Sequence, residues 1–208
     1  GNYLHALHAL QDVTETRHAQ EASARLNRVL RTLSACNHAL IHAEDEVALA
    51  EEICRIIVDQ GGYPLAWVGY ARDDAEGSVE PVAVAGPAAE YVDSVRVSWQ
   101  DNAYGQGPTG RAIREGRPVA EGDMGTDPAY APWRDTATRY DLAASLALPL
   151  LEDGRAFGAL NIYTDAPQTL FETEEHNLLE ELGQDLAFGI AALRTRHRRH
   201  EAEAEIAY

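Results

Sequence analysis

The chain has 208 residues, 45% of them hydrophobic, which is enough for one sizeable core with extensions. Its 34 acidic and 17 basic residues give a net charge of −17. This balance argues against binding to DNA or RNA, because nucleic-acid phosphates attract Lys and Arg. The sequence contains no signal peptide and no apolar run of about 20 residues, which predicts a cytoplasmic protein that does not span a membrane.

A helical pattern dominates the N-terminal part of the chain. Residues 3–13 alternate loosely and leave open whether they form a strand or the start of a helix. From Thr16 to about Ala43 neither Gly nor Pro interrupts the chain, which predicts a continuous helix. One side of it carries residues at alternating spacings of four and three, namely Leu26, Leu30, Leu33, Asn37 and Leu40. This spacing is typical of a coiled-coil seam and equally of a helix packed on its own domain, so both interpretations stay open.

A second helix and several strands are expected next. Asp45 is a good N-cap for a helix from Glu46 to about Gln60, and Gly61-Gly62 ends it. The pattern then predicts, in order, a strand over residues 65–71, a strand over 79–85, a short helix over 88–95 and a strand over 95–99.

The segment from Gly105 to Leu150 is rich in Gly and Pro and cannot be a plain core element. It begins with a short helix predicted over residues 109–115 and ended by Gly116, followed by helical turns within 128–140. After these we expect strands over 144–151 and 156–163 joined by a tight turn, and a last helix capped by Thr173 with Leu182, Leu186 and Leu193 on one face.

This order of elements predicts an α+β fold. The connections between strands are mostly too short for parallel crossovers, so the sheet is expected to be antiparallel, with about five or six strands. Helices are expected on one face of the sheet, flanked by the long N- and C-terminal helices.

From about Leu26 to Leu193 the chain resembles a GAF domain of bacterial signalling proteins. The matching pieces are residues 62–70, 105–110, 112–114, 127–128, 132–134, 145–150, 158–160 and 175–190. Such domains often carry a glycine shortly before the strand that contains Ser145, where this chain has Asp141. The resemblance implies a GAF/PAS-like fold and a regulatory sensor module.

Both ends of the chain carry shorter resemblances. Residues 1–15 resemble the last strand of a PAS domain and its exit into a linker helix over 16–43. The GAF domain is then expected over 44–193, and residues 194–208 resemble the helix that leads into a GGDEF (diguanylate cyclase) domain, with an EAL phosphodiesterase domain as a further candidate. The resemblance implies PAS and GGDEF domains as partners in one chain and an output in cyclic-di-GMP metabolism.

No catalytic or cofactor motif stands out, so we expect a non-catalytic fragment whose cofactor is unknown. The paired carboxylates, Glu174-Glu175 among them, lie on turns or helix faces, where solvation explains them. Cys36 and Cys54 lie in helical segments, unlike the reactive cysteines of GAF relatives that reduce methionine sulfoxide, and no later cysteine is present to attach a bilin. His38 and His42 are one helical turn apart but have no evident third ligand, so neither a metal nor a haem site is indicated.

A ligand pocket has better support, since pockets combine an apolar wall with a few convergent polar groups. The candidate ligand-binding residues are Trp67, Tyr70, Tyr104, Thr109, Asp123, Trp133, Arg134 and Tyr163. Trp67 and Tyr70 are three residues apart, so in a regular strand they point to opposite faces. Arg134 either clamps a ligand carboxylate or pairs with Asp123 or Asp127 to hold the segment closed, and Trp133 is either a stacking platform or a core plug.

Two hypotheses of function follow. In the first, the module binds a small ligand, relays a signal through dimeric helices, or does both. A parallel homodimer then forms through residues near 20–40 and 175–205 and reaches a cyclic-di-GMP output domain. In the second, the domain is a ligand-free dimerisation module and spacer, and its core holds no cavity beyond a few waters.

Overall fold

The computed structural model describes the backbone of residues 2–166 and 173–206, and the side chains of residues 20, 23–166 and 174–204. The helices are α1 (Asn2–His42), α2 (Glu46–Asp59), α3 (Glu90–Asp93), α4 (Pro108–Glu115), α5 (Arg134–Arg139) and α6 (Thr173–Ile206). The strands are β1 (Leu65–Ala71), β2 (Val79–Ala85), β3 (Val119–Glu121), β4 (Ala144–Glu152) and β5 (Arg155–Thr164). Short 3₁₀ turns lie at Ala103–Gly105 and Pro128–Tyr130.

The five strands form one antiparallel sheet in the order β2-β1-β5-β4-β3. The predicted α+β class and antiparallel sheet are therefore confirmed. The tight turn expected between β4 and β5 is also confirmed: Asp153 and Gly154 both have positive φ, 52° and 79°. Two consecutive positive φ values suit the right-handed twist of a two-residue hairpin.

The two faces of the sheet are covered differently. Alternate residues of β1 and β5, such as Val68 and Ile162, pack against α1, α2 and α6 in one apolar core. The residues between them in sequence, such as Trp67 and Tyr163, pack against the irregular segments and form a second core. Because side chains alternate along a strand, each strand contributes to both cores.

The long helices α1 and α6 lie side by side and run in the same direction. Near the start of α6, Arg28 and Glu175 border one surface depression. Further along, a side chain at Gly189 would come within 2.5 Å of Leu40. The end of α1 is fixed by Arg196, which donates a 3.0 Å hydrogen bond to the carbonyl of Ala43. From there α6 continues past the body of the domain, with residues 195–204 exposed.

Three local predictions differ from the structure. Residues 3–13 belong to α1, so the strand expected there from the PAS resemblance does not form. The strand predicted over 95–99 is reduced to a single bridge between Ser78 and Ser98. The backbone hydrogen bonds beside it run from the Val79 N–H to the Val97 carbonyl and from the Trp99 N–H to the Gly77 carbonyl. The sequence analysis missed β3, a strand of only three residues between a helix end and a loop. The cap expected at Thr173 lies outside the described side chains.

Asp141 occupies the position where a glycine was expected. Its φ is 54°, in the left-handed region that glycine adopts without strain. The backbone therefore keeps the glycine-type turn before β4 although the residue differs. Aspartate is among the residues that tolerate this conformation best.

Candidate functional site

Four aromatic rings enclose the cavity on the face of the sheet opposite the long helices. They belong to Tyr91, Tyr130, Trp133 and Tyr163, and we call these four residues the aromatic box. The space left between the rings and the neighbouring backbone is about 10 Å³. A single water molecule needs roughly 10–15 Å³ of such space. The box is therefore filled by its own side chains.

The hydroxyl groups of the box gather at one point. The oxygens of Tyr91 and Tyr130 are 2.8 Å apart, and the ring centres of Tyr91 and Tyr163 are 5.5 Å apart. Burial raises the pKa of each of the three tyrosines, so that all three stay neutral and keep a proton to donate. The Trp67 indole nitrogen, also buried beside them, has no hydrogen bond of normal geometry within the described part of the chain. The site is therefore rich in donors.

Glycines allow the irregular segment to pack this closely. A side chain at Gly107 would come within 2.7 Å of the Trp133 ring, and one at Gly110 within 2.3 Å of the Ser98 carbonyl oxygen. Real side chains do not reach such distances, so each position requires the absence of a Cβ atom. The Gly-Pro-rich motif thus serves close packing of backbone against the box.

Arg114 anchors the same segment, and the sequence analysis missed its role. Its Nη1 atom donates to the carbonyl oxygens of Trp99, Gln100 and Gly105 at 3.1, 3.0 and 2.6 Å. A guanidinium can donate to several carbonyls at once because its N–H groups are fixed in one plane. The position lies within the motif at residues 112–114, so a sequence signal was present.

Thr109 lines the box and also joins α4 to the sheet. Its hydroxyl donates a 2.8 Å hydrogen bond to the side-chain oxygen of Asn161 on β5, and both groups are buried. Asn161 was not among the predicted site residues. The signal for it was an amide side chain in a strand that is otherwise apolar.

Three of the predicted ligand-binding residues lie away from the box. Tyr70 packs on the opposite face of the sheet, as its three-residue spacing from Trp67 allowed. Tyr104 is 41% exposed, and its ring lies under the Arg96 guanidinium at 5.2 Å. Asp123 caps an exposed turn by accepting from Thr126 at 2.7 Å. Of the other predicted residues, Thr109, Trp133 and Tyr163 line the box and Trp67 shares its core.

Trp133 and Arg134 were each given a ligand-contact role and a packing role, and both residues pack in this structure. Trp133 is buried, and its indole nitrogen donates to the Arg96 carbonyl at 2.7 Å, which makes it a plug of the second core. Arg134 donates to the backbone carbonyl of Asp127 at 2.9 Å. It therefore closes the segment through the main chain of Asp127 instead of through a carboxylate.

The cysteines lie on the helix-covered face, apart from the box. Both Cys36 and Cys54 are fully buried, and burial raises the pKa of each thiol to about 12. A thiol with such a pKa is almost entirely protonated at neutral pH and is a poor nucleophile. The described residues hold no group of three side chains suited to a metal ion. None of the helices in residues 2–166 and 173–206 is long and apolar enough to cross a membrane.

Glu175, predicted to be solvated, is instead buried at the start of α6. It accepts a 2.7 Å hydrogen bond from the Tyr63 hydroxyl in the loop between α2 and β1. Burial is the main cause that raises the pKa of Tyr63, and the negative charge of the Glu175 carboxylate raises it further. This contact ties the first turn of α6 to the start of the sheet.

The predicted helix seam is divided between the core and the surface. Leu33, Leu182, Leu186 and Leu193 are buried in the core of their own domain, which favours the domain-packing alternative for them. Leu26 and Leu40 are half-buried, while Leu30 and Asn37 are exposed. Two large apolar side chains that the seam did not include are mostly exposed beside them, Ile41 at 79% and Phe188 at 77%. The exposed surface made by Leu30, Asn37, Ile41, Phe188 and Ala192 is called the helix surface below.

The sequence matches the GAF domain family over residues 43–191. Solved structures share the fold. The GAF domain of a phosphoenolpyruvate-protein phosphotransferase from Coxiella burnetii has a TM-score of 0.67 at 21% identity, covering 83% of this chain and 98% of that one. A free methionine-R-sulfoxide reductase from Neisseria meningitidis, solved with its substrate, has a TM-score of 0.65 at 20% identity, covering 81% of this chain and 91% of that one. A second phosphotransferase GAF domain, from Acinetobacter, has a TM-score of 0.62 at 14% identity, covering 82% of this chain and 97% of that one. No curated protein matches the chain.

Proposed function

Since the chain belongs to the GAF domain family of regulatory modules, we propose that it relays a signal from α1 to α6 within a parallel homodimer. The observation that carries the proposal is the pair of long helices. They run side by side in one direction, and α6 continues beyond the domain. A displacement of α1 is therefore passed directly to the helix that leaves the domain.

The helix surface supplies the contact between two copies. Ile41 and Phe188 stand on either side of a groove of about 640 Å³ whose floor contains Leu40 and Gly189. Covering one large apolar side chain contributes about 1.5–3 kcal/mol. In a two-fold symmetric dimer one patch meets its own copy, so each of these side chains contributes twice.

The finer parts of the proposal rest on resemblance. We place residues 1–15 and 16–43 at the exit of a PAS domain and residues 44–193 in the GAF domain. Residues 194–208 then lead to a GGDEF output domain that metabolises cyclic-di-GMP, with an EAL domain as a further candidate. The continuous helix over residues 16–42 and the exposed end of α6 support a helical linker on each side, whereas residues 3–13 are helical in place of the strand that the PAS resemblance implies.

We also propose that the fragment itself is non-catalytic. Relatives of the same fold include the free methionine-R-sulfoxide reductase from Neisseria meningitidis. In this chain Cys36 and Cys54 are protonated and buried on the face of the sheet away from the box. They are therefore not placed to act on a molecule held there.

Small-molecule sensing at the aromatic box is a second candidate function. It is favoured by the cluster of tyrosine hydroxyls with the Trp67 N–H beside Tyr163, since these groups can donate to a ligand that accepts hydrogen bonds. A ligand larger than water requires Trp133 to leave its place, because the box is filled. Native mass spectrometry of the purified chain tests this candidate. A co-purifying molecule supports it, and the bare mass with no thermal shift across a panel of small acceptor ligands counts against it.

Sedimentation equilibrium of the 208-residue chain tests the relay proposal. We expect a dimer at micromolar concentration. Phe188→Glu should weaken it at least tenfold, which corresponds to about 1.4 kcal/mol or more. The matched control is Val84→Glu, which changes an exposed apolar residue on the edge strand β2 and should leave the dimer intact. A chain that stays monomeric at high concentration, or that responds equally to both substitutions, contradicts the proposal.

A further inference from the structure

Arg194 makes the most varied contacts of α6 with the rest of the domain. Its guanidinium carbon lies 4.8 Å from the centre of the Tyr70 ring and 4.4 Å from that of Phe157. Its Nε atom is 2.5 Å from a carboxylate oxygen of Glu46, and Nη1 is 3.9 Å from one of Glu152. One side chain of α6 thus contacts α2 and strands β1, β4 and β5.

The contact is of a kind that only arginine can make. A planar guanidinium covers two aromatic rings with its face and donates to carboxylates along its edge. The Arg194 side chain is 25% exposed. Arg198, one turn later, also contacts Glu152 but is 66% exposed, and ion pairs of that exposure contribute little. Arg194 is therefore the residue that fixes where α6 leaves the domain.

A short path of contacts joins this arginine to Trp67, which shares the second core with the four rings of the aromatic box. The Trp67 ring lies close over Gly69, and a Cβ atom at Gly69 would come within 2.4 Å of that ring. On the next strand, a side chain at Gly158 would come within 2.3 Å of the Gly69 carbonyl oxygen and 3.1 Å of the Tyr70 ring. The backbone of Gly69 and Gly158 therefore lies between the Trp67 ring on one face of the sheet and the Tyr70 ring on the other. Close-packed interiors transmit small displacements instead of absorbing them.

We propose that Arg194 is the positioning residue that couples the aromatic box to the exit of α6. The two states are a docked arginine, held by Tyr70, Phe157 and Glu46, and a released one in solvent. A rearrangement of the box that moves Trp67 shifts the Tyr70 ring and favours release. This inference rests on the second candidate function, sensing at the aromatic box, since it names the contact through which a change there reaches α6.

Hydrogen exchange of the full chain, followed by mass spectrometry over residues 190–204, tests the coupling. Arg194→Gln should speed exchange there about tenfold, and Arg194→Lys should restore only part of the protection. The matched control is Arg199→Gln, because Arg199 pairs with Glu203 on its own helix. That variant should leave the protection of residues 190–198 unchanged.

The decisive comparison combines two substitutions. Trp133→Phe perturbs the box and should speed exchange at the end of α6 severalfold in the natural sequence, but not further in the Arg194→Gln background. If Trp133→Phe does not fold, Tyr130→Phe takes its place, since it removes one hydroxyl without changing the packing. Additive effects of the two substitutions overturn the inference. The coupling between the box and α6 lies within one protomer. A monomeric chain that shows this coupling therefore disproves the dimer but leaves the role of Arg194 intact.

Discussion

At the scale of single residues, buried polar groups decide how the irregular segment meets the sheet. The hydroxyl of Thr109 and the amide of Asn161 are both enclosed and bond to each other at 2.8 Å. Such a pair adds little net free energy when complete, but losing one partner exposes the other to the full cost of an unpaired buried group. The box is thus positioned by a contact that does not belong to its rings.

Thr109→Val tests this directly. The substitution keeps the shape but leaves the Asn161 oxygen without its donor, so the free energy of unfolding should fall by about 1–3 kcal/mol. Chemical denaturation followed by fluorescence measures it. Thr138→Val is the control, because its hydroxyl bonds to the carbonyl of Arg134 at an exposed position and the change should stay within about 0.5 kcal/mol. Equal losses in the two variants contradict the assignment.

At the scale of elements, the turn before β4 has a left-handed backbone conformation at Asp141, where a glycine was expected. Asp141 has a φ of 54°, which costs an ordinary L-residue roughly 1–2 kcal/mol and glycine almost nothing. Asp141→Gly should therefore raise the free energy of unfolding by about 0.5–1 kcal/mol after the extra entropy of glycine in the unfolded chain is subtracted. Asp141→Ala should lower it. Thermal unfolding of the three proteins gives the order, and a glycine variant no more stable than the alanine variant shows that the turn carries no strain.

The elements also show what a sequence can predict. Strong local signals gave α2 with its cap at Asp45, β1, β2 and the hairpin of β4 and β5 nearly to the residue. These depend on capping, alternation and turn chemistry, which act over a few neighbours. The three-residue strand β3 and the single bridge at Ser98 depend on distant partners, β4 and Ser78, and no local pattern contains that information.

The same limit applies to the candidate site. Thr109, Trp133 and Tyr163 were predicted and line the box, with Trp67 in the same core, whereas Tyr91 and Tyr130 were missed. These two tyrosines stand on a short helix and a 3₁₀ turn whose direction is set only by packing on the sheet. For the helices, four of the leucines predicted for the dimer contact, Leu33, Leu182, Leu186 and Leu193, are buried in the domain's own core. A pattern of spacings shows which side of a helix is buried, not what buries it.

At the scale of the whole molecule, the sheet separates the aromatic box from the long helices. The box lies on one side of the sheet and the parallel helices α1 and α6 on the other, with β1 and β5 shared between them. The helix surface, with Ile41 and Phe188 exposed, is where a second copy fits in the proposed function. A parallel arrangement is required, because only then do both copies of α6 leave toward the same output.

Cross-linking through single introduced cysteines tests the parallel dimer most directly, since the two natural thiols are buried. Leu30→Cys lies on the C-terminal half of α1 and Ala192→Cys on the C-terminal half of α6, and both positions are exposed. A short bis-maleimide should link each variant to its own kind in high yield, because a parallel two-fold axis brings like positions together. The unsubstituted chain and Val84→Cys should stay unlinked. Cross-linking only in mixtures of the Leu30 and Ala192 variants, or in none, contradicts the parallel dimer and with it the proposed relay.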